Sequence, residues 1–230
     1  MAKRFTYVPD LHKLGVKEVA LEFQWYPGFA ISQKQKSIIS LHNAAEEAGY
    51  HPILEISSKS EDELGVKASA FNLSFLTKSS NRKVSVESAF QGSKVFAFAG
   101  PFPDMYDMTA RQAKKEIRIR QNGDLTKFCF FGKDFPLRPR TFFYDWLYIN
   151  TLHKDAELSA DICRFAGFSD IEFNPEKSVN CQAFSAALYV SLVHCGALEQ
   201  ALESEDSFRE LLTPFYERRE RNNPLQRSLI

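Results

Sequence analysis

Neither sign of charge is in excess in this 230-residue chain, where 29 Lys and Arg stand against 29 Asp and Glu. A general field that would attract a polyanion is therefore excluded, and any nucleic-acid contact has to be built from a local patch. Cysteine is sparse and unpaired, at Cys129, Cys163, Cys181 and Cys195. With no Cys-x-x-Cys pair and no His-x-x-x-His spacing, the sequence offers no zinc site, and its thiols suit a reducing cytoplasm. No apolar run approaches the ~18 residues of a membrane span, and the first residues lack an apolar signal region. A cytoplasmic protein without membrane contact is expected. Repeats and low-complexity linkers are missing too, so one core is the simplest organisation for this length.

What is present is phenylalanine, in 21 copies, within a composition that is 44% hydrophobic and 25% charged. That is ordinary globular composition, and the rings supply both a core and flat surfaces on which a base could stack. The alternation of Val19, Leu21, Phe23 and Trp25 predicts a half-buried strand over Lys17–Trp25, after a shorter one at Phe5–Val8. Ser32 is the expected cap of a helix running to Ala48, with Ile38, Ile39, Leu41 and Ala45 inside and Gln33, Lys34, Gln35 and Lys36 on a solvated face. Further strands are expected at His51–Ser57, Ala68–Leu76, Val84 and Phe128–Gly132. Helices are expected at Ala110–Gln121, Phe142–His153 and Val179–Leu192, the last capped by Asn174-Pro175 or by Ser178. Asp145 sits among apolar neighbours and needs a partner, for which Arg138 and Arg140 are the nearest in sequence. The fold class is thus α+β, helix-dominated, with short antiparallel strands mainly before residue 85. Residues 1–50 form an N-terminal strand and helix extension, and 213–230 a charged tail, expected to be mobile, with Arg218, Arg219, Arg221 and Arg227.

Three stretches carry chemistry. Read as a helix from Val86 through Phe98, with about 100° per residue, Glu87, Gln91 and Lys94 fall within roughly 60° of one another. Phe90 and Val95 flank this polar stripe and Phe98 falls within it, so a buried acid, amide and amine face a cleft, or else a Glu–Lys pair merely satisfies itself. Ser88, Ala89, Gly92 and Ser93 make the opposite side small. Gly92 costs about 1 kcal/mol against Ala in a helix, which some close approach should offset. Second, Arg111, Lys114, Lys115 and Arg118 share a face at i, i+3, i+4 and i+7, suited to phosphates or simply solvated. Third, Asp170, Glu172, Asn174, Asn180 and Gln182 interrupt the apolar positions Phe168, Ile171, Phe173 and Val179, more polar groups than capping explains.

The pattern Glu-x-x-Phe-Gln-x-x-Lys at Glu87, Phe90, Gln91 and Lys94 resembles the signature helix of the NADAR family, the YbiA-like N-glycosidase superfamily. Ser69-Ala70-Phe71-Asn72 is the nearest match to the Ser-Asn-Phe element that precedes that helix, with its order altered, so Asn72 is read either as a site residue or as a turn. Phe-x-Asp-Ile-Glu-Phe-Asn-Pro from Phe168, followed by Asn180-Cys-Gln-Ala, resembles the branch that serves as antitoxin to DarT-type DNA ADP-ribosyltransferases. The Asp-x-x-Trp-Gly ending of other relatives is missing. The resemblance covers about Val16 to about Leu202. It implies an ADP-ribosyl glycohydrolase that releases ADP-ribose from guanine bases of DNA, with no cofactor, and a DarT-type toxin as partner. It further implies catalytic roles for Glu87 and Lys94 and substrate contacts for Phe90, Gln91, Asn72, Asp170, Glu172, Asn174, Asn180 and Gln182. Arg111, Lys114, Lys115 and Arg118 are then the candidate DNA contacts. Hydrolysis of a small riboflavin-pathway N-glycoside, or binding of ADP-ribose or toxin without turnover, are the alternatives.

Overall fold

The structure, a computed structural model, describes residues 1–77, 81–175 and 178–222. The chain opens with a long antiparallel hairpin, β1 (Ala2–Pro9) and β2 (Val16–Phe23), in register from Ala2↔Phe23 to Pro9↔Val16. Helix α1 (Ile31–Glu47) follows and buries Ile38, Leu41 and Ala45. It begins after Ala30 rather than at the expected Ser32 cap, and Ile39 points to solvent. Lys34 is not solvated either: its ammonium lies 3.1 Å from Glu172 and 4.8 Å from the Trp25 ring centroid.

Strand β3 (Ile53–Glu55) is the expected strand in shorter form. The segment 58–67 contains α2 (Glu63–Ala68), capped by the Asp62 carboxylate at Leu64 N. The first part of the strand expected from Ala68 is instead a turn, in which Asn72 N and Leu73 N both bond back to the Ser69 carbonyl, at 2.9 and 2.7 Å. What is left, β4 (Ser74–Leu76), pairs with β5 (Lys83–Ser85), and residues 78–80 of the connecting loop lie outside the described set. Helix α3 (Val86–Gly92) leads into β6 (Lys94–Phe96), which pairs with β7 (Leu125–Phe130), itself paired with β8 (Lys133–Phe135). Strand β9 (Gly167–Ser169) closes the first sheet in the order β2-β1-β9-β3, antiparallel to β1 and parallel to β3.

The core is built by α6 (Phe142–His153) and α8 (Gln182–His194), both apolar nearly all round and therefore buried on most sides. Helix α7 (Ala156–Ile162) packs beside α6. A chain of rings fills the space between α3, β7 and α6, with centroids 5.3 Å apart for Phe90 and Phe128 and 4.8 Å for Phe128 and Phe143. The abundance of phenylalanine is thus mostly spent inside, although Phe29, Phe98 and Phe131 are exposed.

The tail expected from Thr213 is instead the second half of α10 (Glu205–Asn222), which follows α9 (Leu198–Glu203). Phe215 and Tyr216 are buried, and the Arg219 guanidinium bonds to Glu18 at 2.5 Å and lies 4.0 Å over the Phe184 ring. Arg227 lies outside the described residues. Asp145 takes its partners from this helix and from α8: Tyr216 donates its hydroxyl at 2.9 Å and Ser185 at 2.5 Å. Arg138 pairs with Glu220 instead. No helix among the described residues is long and apolar enough to cross a membrane.

Candidate active site

Ser85 caps α3 by accepting the Ser88 N–H, and the helix runs only to Gly92. Ser93 turns the chain: its hydroxyl bonds back to the Ala89 carbonyl at 2.7 Å, and its own carbonyl accepts the Cys129 N–H at 2.7 Å. That cross-chain bond starts the β6–β7 ladder, so Lys94 stands on a strand and not on a continuing helix. Phe98, expected within the polar stripe, is exposed. The close approach expected at Gly92 is real. A Cβ there would meet the Tyr106 ring at 2.7 Å and the Phe102 carbonyl at 2.9 Å, in the 3-10 turn Pro103–Asp107 and the residue before it.

Glu87 and Gln91 are both buried, 6% and 7% exposed, and Gln91 Nε2 donates to Glu87 Oε1 at 2.9 Å, the i,i+4 contact of one helix face. Lys94 is half-buried, with its ammonium 5.0 Å from the centroid of the Phe90 ring. Burial pulls its pKa down to about 8, opposed by the nearby Glu87 charge and assisted by Lys114. A lysine held there keeps an appreciable neutral fraction near neutral pH and can act as a nucleophile. Phe90 is a wall of the core beneath this amine, in edge contact with Tyr144 at 5.1 Å.

The third stretch meets α3 at one residue, Ala70. Ala70 donates its N–H to Gln182 Oε1 at 2.7 Å, and its carbonyl accepts the Glu87 N–H at 2.9 Å. Gln182 Nε2 is also engaged, donating to the Ile56 carbonyl at 2.6 Å. With a partner at each end of its amide, Gln182 joins three segments of the chain. Helix α8 starts at Gln182 rather than Val179, because the preceding loop is held by turns of its own. Asp170 Oδ1 accepts the N–H groups of Glu172 and Phe173 at 3.1 Å each, and the Asn174 carbonyl accepts Ser178 N at 3.0 Å.

Asp170 is pushed up to about 8 by burial, with the neighbouring Glu55 adding to the effect. Its field reaches Tyr144, as does that of Glu87, so the two carboxyls belong to one region of the fold. Glu55 was not legible as chemistry in the sequence. It is 2% exposed, accepts Ser169 Oγ at 2.6 Å and Ile171 N at 2.9 Å, and burial raises its pKa. An acid inside the apolar run Ile53-Leu54-Glu55-Ile56 was the available signal. Glu172 is exposed and tied to Lys34. Asn72 is exposed as well and spends its amide on the Val66 carbonyl and Ser69 Oγ, which favours the turn reading.

Two amide oxygens, Gln91 Oε1 and Asn180 Oδ1, are buried without a hydrogen-bond partner. Each is an acceptor that a ligand hydroxyl or amine would satisfy, since leaving such a group unmade costs about 1–3 kcal/mol.

The basic face is not continuous. Thr109 and Gln112 cap α4 (Ala110–Lys115) as a reciprocal box, but the chain breaks at Glu116 and resumes as α5 (Arg118–Gln121). Arg118 is drawn away by Asp104, at 2.6 Å, and by Glu116, at 3.2 Å. Arg111 and Lys115 line an open groove of about 550 Å³ with Met108, Gln112, Glu116 and Ile117. Lys114 turns elsewhere, 5.0 Å from the Phe71 ring centroid. No group of residues suited to a metal ion occurs among the described residues.

None of the curated proteins compared with the chain matches it significantly. The family model for the DarT1-associated NADAR antitoxins, by contrast, matches residues 2–222, a span that contains α3, Lys94 and the Asp170–Gln182 loop. The chain belongs to the family of DarT1-associated NADAR antitoxins.

Proposed function

We propose that the protein is an N-glycosidic-bond hydrolase that releases ADP-ribose from guanine bases of DNA and so reverses the modification made by its DarT1 toxin. The observation that carries this reading is the Lys94 amine, drawn down to about pKa 8 by burial over Phe90 beside Glu87. A module that only bound its ligand would gain nothing from a desolvated amine next to an acid. The unpartnered oxygens of Gln91 and Asn180 supply acceptors for ribose hydroxyls or the base.

Cleavage passes through an oxocarbenium-like state at the anomeric carbon. The neutral Lys94 amine bonds to that carbon as its bond to the guanine nitrogen breaks. Glu87 carries the proton released by the alkylated amine to the leaving guanine nitrogen. The ring of the lysine adduct opens to a Schiff base, water adds to it, and ADP-ribose leaves with the Lys94 amine restored. Gln91, bonded to Glu87, fixes the carboxyl. Arg111 and Lys115 in their groove would contact phosphates of the strand.

The test is incubation with an oligonucleotide carrying ADP-ribosylated guanine, following released ADP-ribose. Wild-type turnover with severe loss in Lys94→Ala and Glu87→Gln is expected. Full activity in both variants would sink the assignment, and tight binding with no product would make the protein a binding antitoxin.

A further inference from the structure

Lys114 parts company with the other cations of its stretch. Arg111 and Lys115 face the open groove, and Arg118 is neutralised by Asp104 and Glu116. The Lys114 ammonium lies against Phe71, the residue after Ala70, whose carbonyl and N–H bond to the Glu87 backbone and to Gln182. From that position its charge acts on Lys94 of β6 and on Asp170 of the loop after β9. Two ammonium groups from different elements thus rest on rings that flank the start of α3, Lys114 5.0 Å from the centroid of Phe71 and Lys94 5.0 Å from that of Phe90, with Glu87 between these rings in sequence. Lys114 is itself exposed, resting on an aromatic face and free to leave it. Two like charges held together repel, and an anion placed between them relieves the repulsion while taking charge-assisted hydrogen bonds from both.

We propose that Lys114 is a substrate-positioning residue of this site, and that it holds the diphosphate of the ligand at the mouth beside the Lys94 amine. The identity of the ligand rests on the reading under Proposed function; the placement of Lys114 does not. A diphosphate seated there would orient the attached ribose toward Lys94. It would do so for a free nucleotide as well as for a base-linked one, whereas a residue that grips the DNA backbone would act only on the strand.

Calorimetric titration separates these sources of phosphate. Wild type, Lys114→Ala, Lys114→Arg and Lys115→Ala are each titrated with ADP-ribose and with an unmodified single-stranded oligonucleotide. Lys114→Ala should weaken ADP-ribose binding by about tenfold or more, the usual loss for a charge-assisted hydrogen bond. Lys114→Arg should recover most of that loss, and Lys115→Ala should leave ADP-ribose binding within about twofold of wild type. As a readout that a structural role would not move, the pH midpoint for labelling the Lys94 amine should rise in Lys114→Ala, because a repelling charge is gone. Unchanged ADP-ribose affinity in Lys114→Ala overturns the proposal. So does a loss confined to the oligonucleotide, or a wild type that binds no ADP-ribose. Release of ADP-ribose from modified guanine by wild type decides the hydrolase reading separately, so the two can fail independently.

Discussion

Glu87 and Gln182 hold the same residue through its two flanking peptides: Ala70 gives its carbonyl to the Glu87 N–H at 2.9 Å and its N–H to Gln182 Oε1 at 2.7 Å. The first turn of the signature helix and the first turn of the buried helix α8 are thereby held at a fixed spacing. The catalytic acid proposed at Glu87 takes its position from that joint.

Gln182 should therefore behave as a structural bridge. Gln182→Ala leaves Ala70 N–H and the Ile56 carbonyl without their side-chain partner and should cost about 2 kcal/mol or more of stability. Urea unfolding measures it. A variant as stable as wild type but with raised KM would show that Gln182 contacts substrate after all.

The pH dependence of turnover follows from Lys94. Its pKa lies at about 8, below the ordinary lysine range, so the amine is mostly protonated at pH 6 and mostly neutral at pH 9. Activity should rise up to about tenfold per pH unit below 8 and level off above it. Borohydride added during turnover should leave a mass adduct on Lys94. A flat profile with no adduct would argue for direct attack by water, with Lys94 acting only through its charge.

Contact with DNA should divide along the break in the basic stretch. Replacing Arg111 and Lys115 with Glu should weaken action on modified DNA and flatten its salt dependence, by about 0.7 in slope for each lost phosphate of a single strand. Hydrolysis of an ADP-ribosyl-guanosine should hardly change. Arg118→Ala should alter neither, because that guanidinium is already paired with Asp104 and Glu116. A salt slope that responds to Arg118 and not to Arg111 or Lys115 would reverse this assignment.

Asp145 ties α10 to the core, and its carboxyl is pushed up to about 6 by burial. Because the folded-state value lies above the unfolded one, its contribution is fully present below about pH 4 and is lost as pH rises through about 6. Tyr216→Phe removes the donor to Oδ2 and should cost about 1–3 kcal/mol at pH 7. The cost should shrink toward pH 4.5, where the carboxyl is protonated. Equal losses at the two pH values in urea unfolding would contradict this. Ending the chain at Thr213 should be far more damaging, since Phe215, Tyr216 and Arg219 leave the core together.

Local spacing by itself determined a good deal of this protein. The alternation from Val19 to Phe23 places β2, the apolar runs place α6 and α8, and the i,i+4 spacing of Glu87 and Gln91 survives as a hydrogen bond. The motif residues sufficed to identify the family. Tertiary structure alone decided where those elements stop and which charges they face. Lys94 leaves the helix because the Ser93 carbonyl is taken by Cys129, a partner far along the chain that no periodicity around residue 93 could announce. Lys114 separates from Arg118 because Asp104 competes for the guanidinium and Glu116 breaks the helix. Arg219 reads as a mobile cation only until Glu18 and Phe184 are folded against it. Backbone periodicity is a property of neighbours in sequence. Desolvation and charge pairing, which set the chemistry of Lys94, Asp170 and Asp145, are properties of neighbours in space.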